Sequence, residues 1–593
     1  MQLREHRETL ARRITVLGWL IALTVVGLTV RYGFVQLREG DTYRMLAENN
    51  RLRRDPIRAP RGEIYDAEGR LLAETVPSYS LELYRSRAAD VAASIALAAR
   101  VLDEPRESLA ALVSGVRHEA TFRPVLLAEN LGLEEVARLR ALSLEHPEFE
   151  VVVQGRRFHR YGPQTAALLG YLGEVNEEEL AGGEGRYRAG DLIGRRGVER
   201  VFDERLRGRD GERELVVDSH GRPREAFVRE PAQAGASLRL TLDLDLQIRA
   251  QRALADQAGA IVALDPRDGA IRALASSPGY DSNLFARRLA RDDWEKLIGS
   301  PLHPLQNRAL QVTQSPGSVF KIVMATAGLA EGVVGPGSRV YCAGGAHFYG
   351  HLRRCWKAGG HGWVDLRSAI LQSCDVYFYH LGEKLGIDRI AAYARRFGFG
   401  ATTGVDLDGE IAGLVPDSEW SARERGIPWY PGETISVAIG QGPLLTTPLQ
   451  LAVMTAAVAN GGRLVIPHVV VDEASRESRP TGIDPAILAR LREALWGVVN
   501  DRGTGGNARV PGHDVAGKTG TVQVIRQTAR VDNRNLPYEH RDHAWFTSFA
   551  PAFDPELVVV VYVEHGGGGS RAAAPLARQV YEAHFGIPSP ELG

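Results

Sequence analysis

The first apolar feature along the chain is an uncharged run from Ile14 to Val30, close to the amino terminus. It is just long enough to cross a hydrocarbon layer as a helix, and Tyr32 to Val35 extend it once Arg31 reaches for the surface. A cleavable leader would have a shorter apolar core and a small-residue exit, whereas an arginine and a tyrosine follow here. The pattern predicts a single spanning helix over 14–35. Arg4, Arg7, Arg12 and Arg13 in residues 1–13 favour a cytoplasmic tail, with the remaining chain outside.

Beyond the span the pattern changes twice. From 36 to 235, short apolar pieces alternate with arginine-rich polar stretches, without an internal repeat. Turn signals at Gly62 and from Asp66 to Gly69 predict β-hairpins over 59–74, and Leu127 to Leu144 reads as a helix pair. The stretch His220 to Gly235 has no periodicity and two prolines, and reads as a domain boundary. From 236 to 593, two alternating runs flank a Pro-Arg-Asp-Gly turn in Gly259 to Ser276, which predicts a hairpin. Helical patterns dominate Ser318 to Phe399 and Thr447 to Asn460. Strand patterns occupy 513–524, 543–552 and 556–565, and a helix pattern covers Arg571 to His584. This order predicts an α+β layered fold, an antiparallel sheet flanked by helices, carried on an elongated pedestal behind one transmembrane helix.

Composition narrows the function. Lysine plus arginine number 72 against 73 acids, so the net charge of −1 argues against nucleic-acid binding by general electrostatics. The basic residues are almost all arginine, with lysine only at 296, 321, 357, 384 and 518. Arginine stays charged in proteins, whereas lysine can be tuned into a base, so each lysine here is a candidate for chemistry.

Two of them sit in motifs. Ser318 and Lys321 lie three apart at the start of an apolar helical run, on one face, where a desolvated lysine can take the serine proton and make the hydroxyl a nucleophile. Lys518, Thr519, Gly520 and Thr521 lie in an alternating strand; the glycine lets a ligand backbone approach, and lysine and hydroxyls suit a carboxylate. Ser373 and Asp375 flank Cys374 at a helix end, and the Ser373 hydroxyl is placed to relay a proton. Each tripeptide alone also fits a helix cap or a solvated turn.

In this order the three motifs resemble the active site of the penicillin-recognising serine transferases and β-lactamases. With the tail, the anchor, and the segments RGEIYD and LIGRRGVERVFDERLRGRDG before the catalytic domain, the whole chain resembles a class B penicillin-binding protein. The segment PWYPGETISVAIGQG (Pro428 to Gly442) and the Ser-x-Asp form resemble the elongation-type branch. The resemblance implies a peptidoglycan D,D-transpeptidase that acts on stem peptides ending in D-Ala-D-Ala and is acylated by β-lactams. It implies Ser318 as nucleophile, Lys321 as general base, catalytic roles for Ser373 and Lys518, and substrate contacts from Asp375, Thr519, Gly520 and Thr521. Where Asp375 stands the superfamily more often has asparagine, an amide donor. The resemblance further implies the cytoplasmic (inner) membrane as location, with the catalytic domain periplasmic, and a multi-span SEDS-family glycosyltransferase as partner.

Cys342, Cys355 and Cys374 fall in one window with His361. Three sulfurs and one nitrogen suit tetrahedral zinc, and a Cys342–Cys355 disulfide with a free Cys374 is the alternative. Some relatives of this branch carry zinc in this region, which favours a structural metal, with His347, His351 and Asp365 as substitute ligands. The glycines 566–569 read as a flexible turn, the tryptophans as mostly packing, and the arginines at 51–54 and 195–200 as solvated faces. A hydrolase using the same nucleophile, carboxypeptidase or β-lactamase, and a non-catalytic β-lactam sensor or scaffold are the competing functions; the anchor and pedestal argue against a β-lactamase.

Overall fold

The computed structural model describes residues 2–588 apart from 42–51, 119, 183–185, 189, 218–222, 287–288, 290, 336, 472–475 and 526–531. The amino-terminal apolar run belongs to one helix, α1 (Gln2–Leu37). Its part from Leu10 to Leu37 has a mean hydropathy of 1.9 and buries nothing against the rest of the protein. That length suffices for a membrane span.

The expected hairpin forms from β1 (Ile64–Tyr65) and β2 (Leu71–Tyr84). The long β2 then serves as a spine, pairing with β3 (Pro124–Ala128) at its far end and with β4 (Phe149–His159) along most of its length. Helices α2 (Val91–Leu102), α3 (Arg106–Gly115) and α4 (Leu133–Leu142) supply Ile95, Leu109 and Leu139 to a core shared with Leu81, Leu127 and Phe149. The helix pair expected over 127–144 is therefore one helix. Leu127 belongs to a strand, and α4 starts only after Gly132, whose N–H is capped by the Glu135 carboxylate at 2.6 Å.

The stretch expected as the boundary, 220–235, is not irregular throughout. Pro223–Glu230 is a strand, paired with Gly211–Val217, which pairs in turn with Leu52–Ile57; residues 220–222 and Arg51 of these readings lie outside the described residues. Residues 225–230 are exposed on both faces of this edge strand, so its sequence shows little periodicity. The chain enters the second domain through β5 (Leu238–Arg239), parallel to β1.

A buried ion cluster ties the pedestal together. Glu199 accepts from Arg61 Nε at 2.6 Å and from Arg157 Nε at 2.6 Å, and Asp203 stands 2.8 Å from Arg61. Burial alone would raise the Glu199 carboxyl, but the charges of Arg157 and Arg61 outweigh it and hold the group far below the usual carboxylate range.

The catalytic domain is built on β6 (Gly259–Leu264), β7 (Ile271–Ser277), β8 (Ala516–Val522), β9 (His543–Ala550) and β10 (Leu557–Val563), all antiparallel in the order β7-β6-β10-β9-β8. Along β10, Val558, Val560 and Tyr562 face one core while Val559, Val561 and Val563 face another. Alternation thus serves two apolar layers, and each such valine contributes about 1.5–3 kcal/mol on burial. Helices α5 (Leu244–Leu254), α6 (Lys321–Ala330), α7 (Asp375–Leu385), α8 (Pro448–Ala459), α9 (Pro485–Asn500) and α10 (Ala574–His584) enclose the sheet. α5 and α10 pack in one layer, and α6, α7 and α8 in the other.

Between Ser318 and Phe399 the helical expectation holds only in part. Val340–Cys342 pairs with Gly362–Val364, and Gly345–Phe348 with His351–Arg354. Gly344, Gly350, Gly360 and Gly362 all adopt positive φ, which breaks any helix and turns the chain into these two ribbons.

Candidate active site

Ser318 sits in the single-turn helix Gly317–Phe320 that leads into α6. Gly317 is required there: its φ is +56°, and a Cβ would lie 2.7 Å from the Thr521 carbonyl oxygen. Its N–H donates to Gly440 O at 2.9 Å. The nucleophile turn is thereby wedged between the edge strand β8 and the loop at 439–442. Trp545 completes the wedge, its indole donating to Ser315 O at 3.1 Å.

Lys321, the first residue of α6, is fully buried. Its amine donates to Ser373 O at 2.9 Å, Ser373 Oγ at 3.2 Å and Asp375 Oδ1 at 2.7 Å. Lys518, on β8 and equally buried, donates to the same Ser373 Oγ at 2.9 Å and to Thr519 O at 3.0 Å. Desolvation, reinforced by the charge on Lys321, pushes the Lys518 amine well below the usual lysine range. One hydroxyl therefore bridges two lysine nitrogens, one paired with a carboxylate and the other pushed by burial toward its uncharged form. Ser373 reaches this position with φ +54°, a left-handed backbone that a non-glycine residue adopts at a cost.

Both oxygens of Asp375 are engaged within the protein. Oδ1 accepts from Lys321, and Oδ2 from the Trp356 backbone N–H at 2.9 Å. It stands as the counter-ion of Lys321 where the resemblance implied a contact to substrate. Gly520 also has a local reason, since a Cβ there would lie 2.9 Å from Pro316 O; its absence lets the nucleophile turn, rather than a ligand, approach β8. Thr519 shares a 2.7 Å hydrogen bond with Thr504, and Thr521 Oγ1 accepts from Gly569 N at 3.4 Å. Gly569 packs against the Gly520 carbonyl, so the glycine run supports the edge of the site.

Next to Asp375, the side chains of Cys342, Cys355, His361 and Cys374 converge, all ligand atoms lying within 4.8 Å of one another. His361 Nδ1 is 3.6 Å from the sulfurs of both Cys342 and Cys355. Those separations fit the edges of a tetrahedron with metal–sulfur bonds of about 2.3 Å and a metal–nitrogen bond of about 2.0 Å. The three thiols are buried and unbridged. The S–H of Cys374 donates to Cys355 and lowers that thiol, while the same bond and burial raise Cys374, so a single thiolate is favoured between the two. Of the substitutes, Asp365 instead caps the helix Leu366–Leu371 by accepting from Ser368 N at 2.8 Å, and His347 and His351 lie outside the cluster.

Sequence reasoning passed over Trp356, Gly440 and Thr504. Trp356 directly follows a cysteine of the cluster, which was the available signal; Gly440 lay inside a segment singled out only for its flavour; Thr504 carried no signal. The arginines at 195–200 are more than a solvated face: Arg196 and Arg200 each approach Asp408 of the catalytic domain at 3.7 Å.

Comparison with known proteins accords with this geometry. The family described as penicillin binding protein transpeptidase domain matches residues 259–582, and that described as penicillin-binding protein dimerisation domain matches 56–240. Peptidoglycan D,D-transpeptidase MrdA of Acinetobacter baumannii is 35% identical over 98% of this chain and 88% of its own length. Among solved structures, penicillin-binding protein PBP2 of Helicobacter pylori, in complex with MreC, superposes with a TM-score of 0.80 at 26% identity, covering 90% of this chain and 99% of that one. A chain from a structure described as a peptidoglycan synthase complex that coordinates polymerization and crosslinking gives 0.72 at 32% identity, covering 98% and 100%. With its nucleophile turn, its paired lysines and its pedestal, the chain belongs to the class B penicillin-binding proteins, in the penicillin-binding protein 2 group.

Proposed function

We propose that the chain is a membrane-anchored peptidoglycan D,D-transpeptidase that cross-links stem peptides during cell-wall elongation. The observation that carries the mechanism is the convergence of two buried lysine amines on the hydroxyl of Ser373, beside the Ser318 turn. Because both amines lie on Ser373 Oγ and burial biases Lys518 toward its uncharged form, Ser373 can give its proton to Lys518 while taking one from Lys321. Lys321 is then free to accept the proton of Ser318. Ser318 Oγ attacks the carbonyl carbon of the penultimate D-alanine, the bond to the terminal D-alanine breaks, and the departing amine takes up the relayed proton. An amine of a neighbouring stem attacks the ester, and Ser318 regains its proton. Backbone N–H groups of Ser318 and Thr521 receive the developing oxyanion, where one donor is worth about 3–4 kcal/mol. Lys518 and Thr519 hold the substrate carboxylate.

Cys342, Cys355, His361 and Cys374 hold a structural zinc ion in this reading, supported by a closed three-sulfur, one-nitrogen donor set. When bound, it braces the loop carrying Ser373 and Asp375. The catalytic domain lies outside the cytoplasmic membrane, and the anchor and pedestal meet a multi-span glycosyltransferase and a scaffold protein; a relative solved with MreC and another in a synthase complex support this.

Intact mass of the full chain after exposure to a penicillin, with zinc measured on the same sample, tests both parts. The expected result is a stable adduct on Ser318, absent in Ser318→Ala, with one equivalent of zinc. Rapid turnover of the adduct would point to a hydrolase, and a metal-free protein two mass units light to a disulfide.

A further inference from the structure

Trp356 touches both the cysteine–histidine cluster and the relay. It follows Cys355, and its ring lies beside that of His361, centroids 5.6 Å apart. Its backbone N–H donates to Asp375 Oδ2 at 2.9 Å, and its indole N–H is shared between Gln372 O at 3.0 Å and Ser373 O at 3.1 Å. Both Asp375 and Ser373 O are also acceptors for Lys321. Two of the three acceptors of the Lys321 amine are therefore tied to Trp356.

The ring itself is 54% exposed, so core packing does not explain a tryptophan here. By contrast Trp545 is fully buried. What Trp356 spends is its polar edge, on the two carbonyls around the left-handed Ser373. A non-glycine backbone in that region persists only where its surroundings over-determine it. The indole fork is such a constraint.

We infer that Trp356 is a positioning residue that holds Ser373 in its left-handed conformation, and through it keeps the Lys321 amine and the Ser373 hydroxyl in relay geometry. This rests on the transpeptidase reading above. The cluster closes the same loop from the other side, through Cys355 and through Cys374 between Ser373 and Asp375. Occupancy of the cluster and the geometry of the relay are thereby joined by one side chain. Because Trp356 contacts Gln372, Ser373 and Asp375 and makes no hydrogen bond to Lys518 or Thr519, its loss slows the chemical step and leaves ligand binding alone.

The test is acylation of the full chain by a chromogenic penicillin in stopped flow, separating the initial dissociation constant from the acylation rate constant. Trp356→Phe keeps an aromatic ring and removes the indole N–H. Its acylation rate constant should fall about tenfold, in line with loss of a hydrogen bond that fixes a strained segment, with the dissociation constant within about twofold. Metal content and melting temperature should match the parent. Should Trp356→Phe fail to fold, benzothienylalanine at 356, with sulfur in place of the indole N–H, makes the same deletion at nearly the same shape. An unchanged acylation rate constant would overturn the inference. So would a fall in which binding, metal content and melting all change together, since that marks a merely structural residue. A parent protein that forms no adduct on Ser318 would instead sink the transpeptidase reading itself.

Discussion

The pedestal and the active site each bury two basic side chains, and they treat them differently. In the pedestal Arg61 and Arg157 share Glu199, and Asp203 adds a second carboxylate at 2.8 Å from Arg61, so charge is balanced. In the active site Lys321 and Lys518 have only Asp375 between them, and Lys518 touches only neutral oxygens. The site is one carboxylate short. Arginine stays ionised, so a buried arginine needs its partner; a lysine can shed its proton instead. A chain that otherwise uses arginine almost everywhere places two of its few lysines where a neutral amine is needed. Structural ion clusters are closed, and a relay is left open by one charge.

The sharpest way to break this contrast is to close the relay. Lys518→Arg fixes a positive charge against acceptors that carry none and stops proton exchange through Ser373. Penicillin acylation should fall about 10³-fold, the scale of a lost acid–base partner. A melting curve close to that of the parent, alongside retained acylation within tenfold, would show that a neutral amine at 518 is not needed.

Opening the pedestal cluster is the converse experiment. Glu199→Gln leaves two buried guanidinium groups facing an amide, and removal of one partner from a buried pair costs about 3–4 kcal/mol. Urea unfolding should register that loss, while the fraction still folded acylates at the parental rate. A pedestal unmoved by this change would mean that its arginines are hydrated.

Acid separates the two regions by a different pair of groups. His543 of β9 accepts the His565 N–H on Nδ1, and burial, aided by His565, pushes its imidazole down to about 4. Its folded value lies below its unfolded one, so between about pH 6.5 and 4 the unfolded chain binds a proton that the folded domain refuses. Stability of the catalytic domain therefore falls as pH falls through that window, by about 2–3 kcal/mol. Glu199 is depressed from an ordinary value of 4.5, so the pedestal keeps its contribution over most of the same window and loses it only on further acidification. Pulse proteolysis in urea at pH 7 and pH 4.5 should show the catalytic domain weakening first, and His543→Asn should remove most of that difference.

The catalytic half was the more legible of the two. Its strands alternate strongly, as in β10, and its chemistry sits in short motifs whose members are close in the chain. Ser318, Lys321, Ser373 and Lys518 were readable because lysine is scarce and each motif is local. What joins them was not readable. The role of Asp375 as counter-ion is supported by Trp356, in the bend after a ribbon whose glycines only the backbone geometry explains. In the pedestal, Arg61, Arg157 and Glu199 come from three distant segments, so nothing in spacing announces their cluster. Leu127 to Leu144 misled because a short strand followed by one helix has the same apolar count as two short helices.

The smallest effect concerns the neutral oxygens around Lys518. Thr504, beyond the end of α9, gives or takes a 2.7 Å hydrogen bond with Thr519, and its backbone N–H donates to Leu371 O at 3.2 Å. The first contact orients the Thr519 hydroxyl toward the carboxylate pocket; the second holds the loop whatever the side chain is. Thr504→Val keeps the shape and removes only the hydroxyl, a loss of about 1 kcal/mol. The initial dissociation constant for a penicillin should rise about fivefold, with the acylation rate constant unchanged, the opposite split from Trp356→Phe. A variant in which the rate constant falls instead would place Thr519 within the relay, and the division between a carboxylate pocket and a proton path would have to be redrawn.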